Sequence, residues 1–100
     1  MLELARYTTE VTEICRRLDV RRLEVFGSAL RSDFDETTSD VDIFYEFNGT
    51  EDLFARYMSL KRELETLFGR RVDLIKEDLV VNPFIKDQIT NSPRKQLYAA

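Results

Sequence analysis

One stretch restricts this chain more than any other. Asp40-Val41-Asp42-Ile43-Phe44-Tyr45-Glu46-Phe47 has the alternation of a half-buried β-strand, and Asn48-Gly49 breaks it. A period of two puts Val41, Ile43, Tyr45 and Phe47 on one face and Asp40, Asp42, Phe44 and Glu46 on the other. The first face needs a packed layer against it. The second carries two carboxylates whose Cα atoms lie about 6.5 to 7 Å apart. Aspartate is depleted in strands, so its repetition here asks for a chemical reason.

Neighbouring segments supply the packing layer. Val11, Ile14, Cys15 and Leu18 follow helical spacing, within a helix expected from about Leu2 with Thr8 or Thr9 as candidate caps. Arg22 to Phe26 reads as a strand that stops at Gly27-Ser28, and residues 32–39 are polar and loop-like. Thr50 is the expected cap of a second helix, with Glu51 and Asp52 in its first turn. Its apolar stripe is Leu53, Tyr57, Leu60, Leu64 and Leu67, and Gly69 ends it. Arg71 to Ile75 is a third strand. Asn82-Pro83 opens another helix to about Thr90, and Lys95 to Ala100 is either an edge strand or a tail. These elements predict one α/β domain over residues 1–100, a small mixed sheet of three to four strands packed with three to four helices. The second and third strands, joined through a helix, are expected to be parallel, while the mutual direction of the first two stays open.

Composition removes whole classes of chemistry. The chain has no histidine and one cysteine. Ser-His-Asp hydrolysis, Cys-His proteolysis, histidine-ligated metals and thiolate clusters are therefore excluded within it. Ser28 has no histidine to activate it as a nucleophile. A lone cysteine forms no internal disulfide, and the N-terminus lacks a signal-peptide pattern, so the expected compartment is the cytoplasm. No apolar run approaches the roughly 20 residues of a membrane helix. The acidity is local: residues 31–50 hold one basic and six acidic side chains, while the remainder is nearly balanced. A pI near 4.9 gives no general footprint for nucleic acid.

Catalysis here must run on carboxylates, hydroxyls, basic side chains and a borrowed metal. Asp73 is a third strand aspartate, between Val72 and Leu74. Three carboxylates brought together repel one another unless a cation compensates, and an oxygen-only set selects Mg²⁺ or Mn²⁺. Paired metals are a standard device for displacement at phosphorus; Asp40 and Asp42 suit the bridge, and Asp73 suits either a ligand or a proton acceptor. Gly27-Ser28, leading into Ala29-Leu30-Arg31, offers backbone N–H groups, a hydroxyl and a guanidinium to a phosphate. Together these imply a nucleoside triphosphate with Mg²⁺.

The ordered set Gly27-Ser28, Ser39-Asp40-Val41-Asp42 and Val72-Asp73-Leu74 resembles the minimal nucleotidyltransferases of the DNA polymerase β superfamily. The likeness runs from about Asp19 to Tyr98 and includes Asn82-Pro83. Two departures are visible: Gly27-Ser28 continues as Ala29-Leu30-Arg31-Ser32 rather than with the family's usual alanine and glycine, and the spacing to Asp40 is one residue longer than the commonest. The resemblance implies a palm-like nucleotidyltransferase fold that transfers AMP from ATP, or another nucleoside monophosphate, with release of pyrophosphate. It also implies an antitoxin role against a HEPN-type toxin, through adenylylation of a toxin tyrosine. By position, Gly27 and Ser28 would hold the triphosphate, Asp40 and Asp42 both metals, and Asp73 one metal and the acceptor.

Rival readings attach to the same residues. Asp73 suits a salt bridge to Arg70, Arg71 or Lys76, Cys15 suits core packing, and the Arg16-Arg17 and Arg21-Arg22 pairs suit solvated ends. A non-catalytic antitoxin that occludes its toxin is the alternative function. So small a domain would draw acceptor specificity from a partner, in a homo- or hetero-oligomer.

Overall fold

The structure, a computed structural model, describes residues 3–26, 40–76, 82–84, 86–87 and 94–100. A 3₁₀ turn, Leu4–Tyr7, leads into helix α1, Thr8–Arg17. Strands β1 (Val20–Phe26) and β2 (Val41–Phe47) follow, then helix α2 (Leu53–Phe68), β3 (Val72–Ile75) and β4 (Arg94–Ala99). The four strands form one mixed sheet in the order β3-β2-β1-β4. β2 and β3 are parallel, as a helical crossover requires, and β1 is antiparallel to both β2 and β4. The C-terminal stretch is thus an edge strand, and the direction left open for the first two strands is antiparallel.

The expected two-faced character of β2 holds. Val41 and Ile43 are fully buried in the main core with Leu23, Val25, Val72 and Leu74 of the neighbouring strands. Val11, Ile14 and Cys15 of α1 and Leu60, Leu64 and Phe68 of α2 cover that face. Each such side chain contributes about 1.5 to 3 kcal/mol by leaving water. The opposite face carries a separate small cluster, in which Phe26 and Phe44 stack with centroids 4.1 Å apart and Ile75 packs beside them. A register shift between Val20 and Arg22 lets Val20 join the main core although Arg22, Glu24 and Phe26 lie on the other face.

Several expectations need correction. The described residues contain two complete α-helices and one 3₁₀ turn, with part of a further helical segment, against the expected three to four helices. Pro83, Phe84, Lys86 and Asp87 are helical, and Asn82 Oδ1 accepts the Phe84 amide hydrogen at 2.9 Å as an N-cap should; the rest of that segment lies outside the described residues. Leu2 lies outside the described residues, and from Leu4 the chain enters α1 through the 3₁₀ turn, with Thr8 Oγ1 donating back to Ala5 O instead of capping. Thr50 does not cap α2 either. Asp52 precedes the helix in a left-handed conformation, φ 52°, which delays its start to Leu53 and leaves Leu53 exposed rather than in the core. Gly69 ends α2 as expected, at φ 68°, with its amide bonded to Glu65 O.

Candidate active site

Both aspartate-bearing strands begin at the same end of the sheet because they are parallel. Their register pairs Val41 with Val72 and Asp42 with Asp73, so these two carboxylates stand side by side on the face away from the helices. The Val41 amide donates to Arg71 O at 2.9 Å, which carries the pairing one residue further and brings Asp40 beside Arg71. Asp40 Oδ1 lies 3.2 Å from the Arg71 guanidinium.

Asp42 bears the electrostatic consequence. Burial, then the charge of Asp73, a hydrogen bond to Asp73 and the charge of Asp40 push its carboxyl up to about 6. Burial is the largest cause, and the neighbouring Asp73 and Asp40 carboxylates add like-charge repulsion to it. Of the three aspartates singled out in the sequence, Asp42 and Asp73 are thus cross-strand neighbours, and Asp40 lies just before β2 beside Arg71. Among the described residues no group of three or more histidine, cysteine, aspartate or glutamate side chains is gathered closely enough to hold a metal ion.

β1 completes the frame. Phe26, its last residue, pairs with Asp42 across the sheet, and Arg94 of β4 pairs with Phe26 from the other side. One row on one face therefore reads Asp73, Asp42, Phe26, Arg94. Gly27 follows Phe26 in the chain; Gly27, Ser28 and Arg31 lie outside the described residues.

The rival readings resolve unevenly. Arg71 pairs with Asp40, and Arg70 Nε donates to Phe68 O. Cys15 is fully buried and its thiol is pushed up to about 12, so it packs and does not react. Arg17 is not merely solvated: it grips both carboxylate oxygens of Glu63 on α2. Arg22 bridges Glu24 at 2.8 Å and Glu46 at 2.9 Å.

Two positioning residues escaped the sequence reading. Glu65 Oε2 accepts the Val72 amide hydrogen at 3.0 Å, tying the end of α2 to the start of β3. Arg56 donates to the carbonyls of Leu18, Asp19, Asn48 and Glu51 at 2.7 to 3.0 Å and lies over the Phe47 ring, fastening the turns at the far end of the sheet. Neither side chain has a local signal, because each acts on backbone distant in sequence.

The nucleotidyltransferase domain model matches residues 9–95. The chain belongs to that family. It is similar to the protein adenylyltransferase MntA of Thermococcus cleftensis, 40% identical over 68 residues that cover 68% of this chain and 67% of the relative. A solved structure assigned as a minimal nucleotidyltransferase superposes with TM-score 0.66 at 32% identity, covering 87% of this chain and 86% of that one. A chain from the structure of a tri-AMPylated Shewanella oneidensis HEPN toxin in complex with MNT antitoxin shares the fold, with TM-score 0.59 at 20% identity over 98% of this chain and 74% of that one. As a family member the chain is a nucleotidyltransferase, and its curated relatives include named protein adenylyltransferases. No helix among its described residues is long and apolar enough to cross a membrane.

Proposed function

We propose that this nucleotidyltransferase moves AMP from ATP to a tyrosine hydroxyl of a cognate HEPN-type toxin and thereby acts as its antitoxin. The observation that carries the reading is the side-by-side pairing of Asp42 and Asp73, with Asp40 one register step away. The relatives support the rest: a matching protein is named a protein adenylyltransferase, and a chain of the same fold comes from a complex of an AMPylated HEPN toxin with its antitoxin. A reaction that consumes ATP, in a chain whose one thiol is buried, suits the cytosol.

The donor set fits a hard divalent cation. Its groups are carboxylate oxygens, two of which stand side by side on adjacent strands. Asp40 and Asp42 would hold two Mg²⁺ ions, with Mn²⁺ as a substitute, and Asp73 one of them. Metal bound there supplies positive charge to the attacking and leaving oxygens. To serve as a ligand, Asp40 would have to release the Arg71 guanidinium that it now pairs with.

Gly27 and Ser28 hold the triphosphate at the exit of β1, and Arg31 offsets phosphate charge. Asp73 accepts the proton of the acceptor hydroxyl. The acceptor oxygen bonds to the α-phosphorus, the bond from that phosphorus to the bridging oxygen breaks, and pyrophosphate leaves with the electron pair. Occlusion of the toxin without chemistry is the competing outcome. The decisive experiment follows ³²P from [α-³²P]ATP to the co-purified toxin, for the native chain and for Asp40→Asn/Asp42→Asn. Label that depends on both aspartates is expected; a toxin neutralised with no label, by either form, overturns the catalytic reading.

A further inference from the structure

The carboxylate row ends in a cation. Arg94 is the cross-strand partner of Phe26, which is the partner of Asp42, so its side chain rises from the same face, two strands from the carboxylate. Its guanidinium lies over the Phe44 ring, 4.7 Å from the centroid, and 3.7 Å from Glu24 Oε2. Phe44 is almost fully buried and stacked on Phe26, so this ring is a fixed prop. Glu24 already receives Arg22 at 2.8 Å through its other oxygen, which leaves Arg94 the longer share of that carboxylate. Roughly a quarter of the Arg94 side chain stays exposed (27%).

We infer that Arg94 is a phosphate-binding residue that engages the β- and γ-phosphates of the nucleotide and then the departing pyrophosphate. The inference rests on the proposed use of Gly27 and Ser28, because those residues leave β1, the strand that lies between Arg94 and the carboxylates. The face divides by strand. Asp73 on β3 serves the acceptor side, and Arg94 on β4 the leaving-group side, with Asp42 between them. The charge balance favours such a group: a triphosphate placed beside Asp40, Asp42 and Asp73 adds negative charge to a face that already carries paired carboxylates. A planar guanidinium answers phosphate oxygens with paired donors, which an ammonium does not reproduce. The Phe44 ring keeps the group aimed as it turns from Glu24 to a phosphate.

The test is equilibrium binding of MgATP and MgAMP, by calorimetry on the full chain, to the native protein, Arg94→Lys and Arg94→Ala. Circular dichroism confirms that each variant is folded. Loss of one charge-assisted contact to phosphate weakens MgATP binding by about tenfold to a hundredfold in Arg94→Ala, and by less in Arg94→Lys. MgAMP lacks the outer phosphates, so its affinity stays within about twofold. Equal losses for both nucleotides, or MgATP binding unchanged in a folded Arg94→Ala, overturn the assignment. Arg94→Lys supplies the comparison if Arg94→Ala fails to fold: full MgATP affinity in that variant also overturns the required guanidinium. A native protein that binds MgATP but labels no partner sinks the adenylylation reading and leaves Arg94 standing, whereas one that binds no MgATP sinks both.

Discussion

Glu65 Oε2 accepts the Val72 amide hydrogen at 3.0 Å, so the last turn of α2 holds the residue immediately before Asp73. Glu65→Ala removes that acceptor at the start of β3. The expected cost is about 1 to 2 kcal/mol of stability, with transfer activity falling further than the folded fraction. Glu65→Gln keeps an amide oxygen in reach and restores most of both. Chemical denaturation and label transfer on the two variants check this, and equal activity per folded molecule in Glu65→Ala would show that the tether has no bearing on Asp73.

Asp42 gives a pH dependence of defined sign. Its folded carboxyl is raised from 3.8 to about 6, so the folded state holds more protons than the unfolded one between those values. Its contribution is fully present below the unfolded value and is lost as pH rises toward 6. The full shift corresponds to about 3 kcal/mol, and because the group is only half-buried, solvent screening reduces this to about 1 to 2 kcal/mol. Asp42→Asn removes the titration. Its stability relative to the native chain is therefore expected to increase from pH 4 to pH 7. Denaturation midpoints for both chains across that range would reveal a flat difference if the carboxyl is not perturbed.

Mg²⁺ is expected to act on the same charge. At pH 7, MgATP at 100 times its Kd stabilises the native chain by about 2.7 kcal/mol. For a chain of 100 residues each kcal/mol moves Tm by about 4 to 8 °C. Asp40→Asn/Asp42→Asn should lose most of that rise. Thermal melts with Mg²⁺, ATP, both and neither separate metal from nucleotide, and an equal rise in the double variant would place binding elsewhere.

Arg56 is expected to be the costliest single polar side chain to remove. Its guanidinium satisfies four carbonyls in two turns and lies 4.3 Å from the Phe47 centroid. Arg56→Met retains the aliphatic stem but strips those partners, for an expected loss of about 2 to 4 kcal/mol. MgATP affinity should stay near native in the folded fraction, since these turns lie at the opposite end of the sheet from Asp42. A melt within experimental error of the native chain would refute the clasp.

What the sequence announced and what it concealed divide by range. Asp40, Asp42 and Asp73 were readable because a strand's period of two and the surrounding valines and leucines declare their faces locally. Gly69 was readable because a left-handed helix end favours glycine. The late start of α2 was not, since Asp52 adopts a conformation its side chain does not advertise. β4 was ambiguous because Arg-Lys-Gln-Leu-Tyr-Ala has weak alternation and becomes a strand only against β1. Glu65, Arg56 and Arg94 act across the fold, on partners between 5 and 70 residues away. No local pattern encodes such distances.

The parallel pairing of β2 and β3 also governs what a docked protein can alter. Main-chain hydrogen bonds between these strands fix the lateral gap between their acidic groups, and the connecting helix lies on the opposite side of the sheet. Pressure on that helical layer would be absorbed before it changed the spacing. A bound protein would therefore govern which hydroxyl arrives, and leave the instrument that processes it at constant calibration.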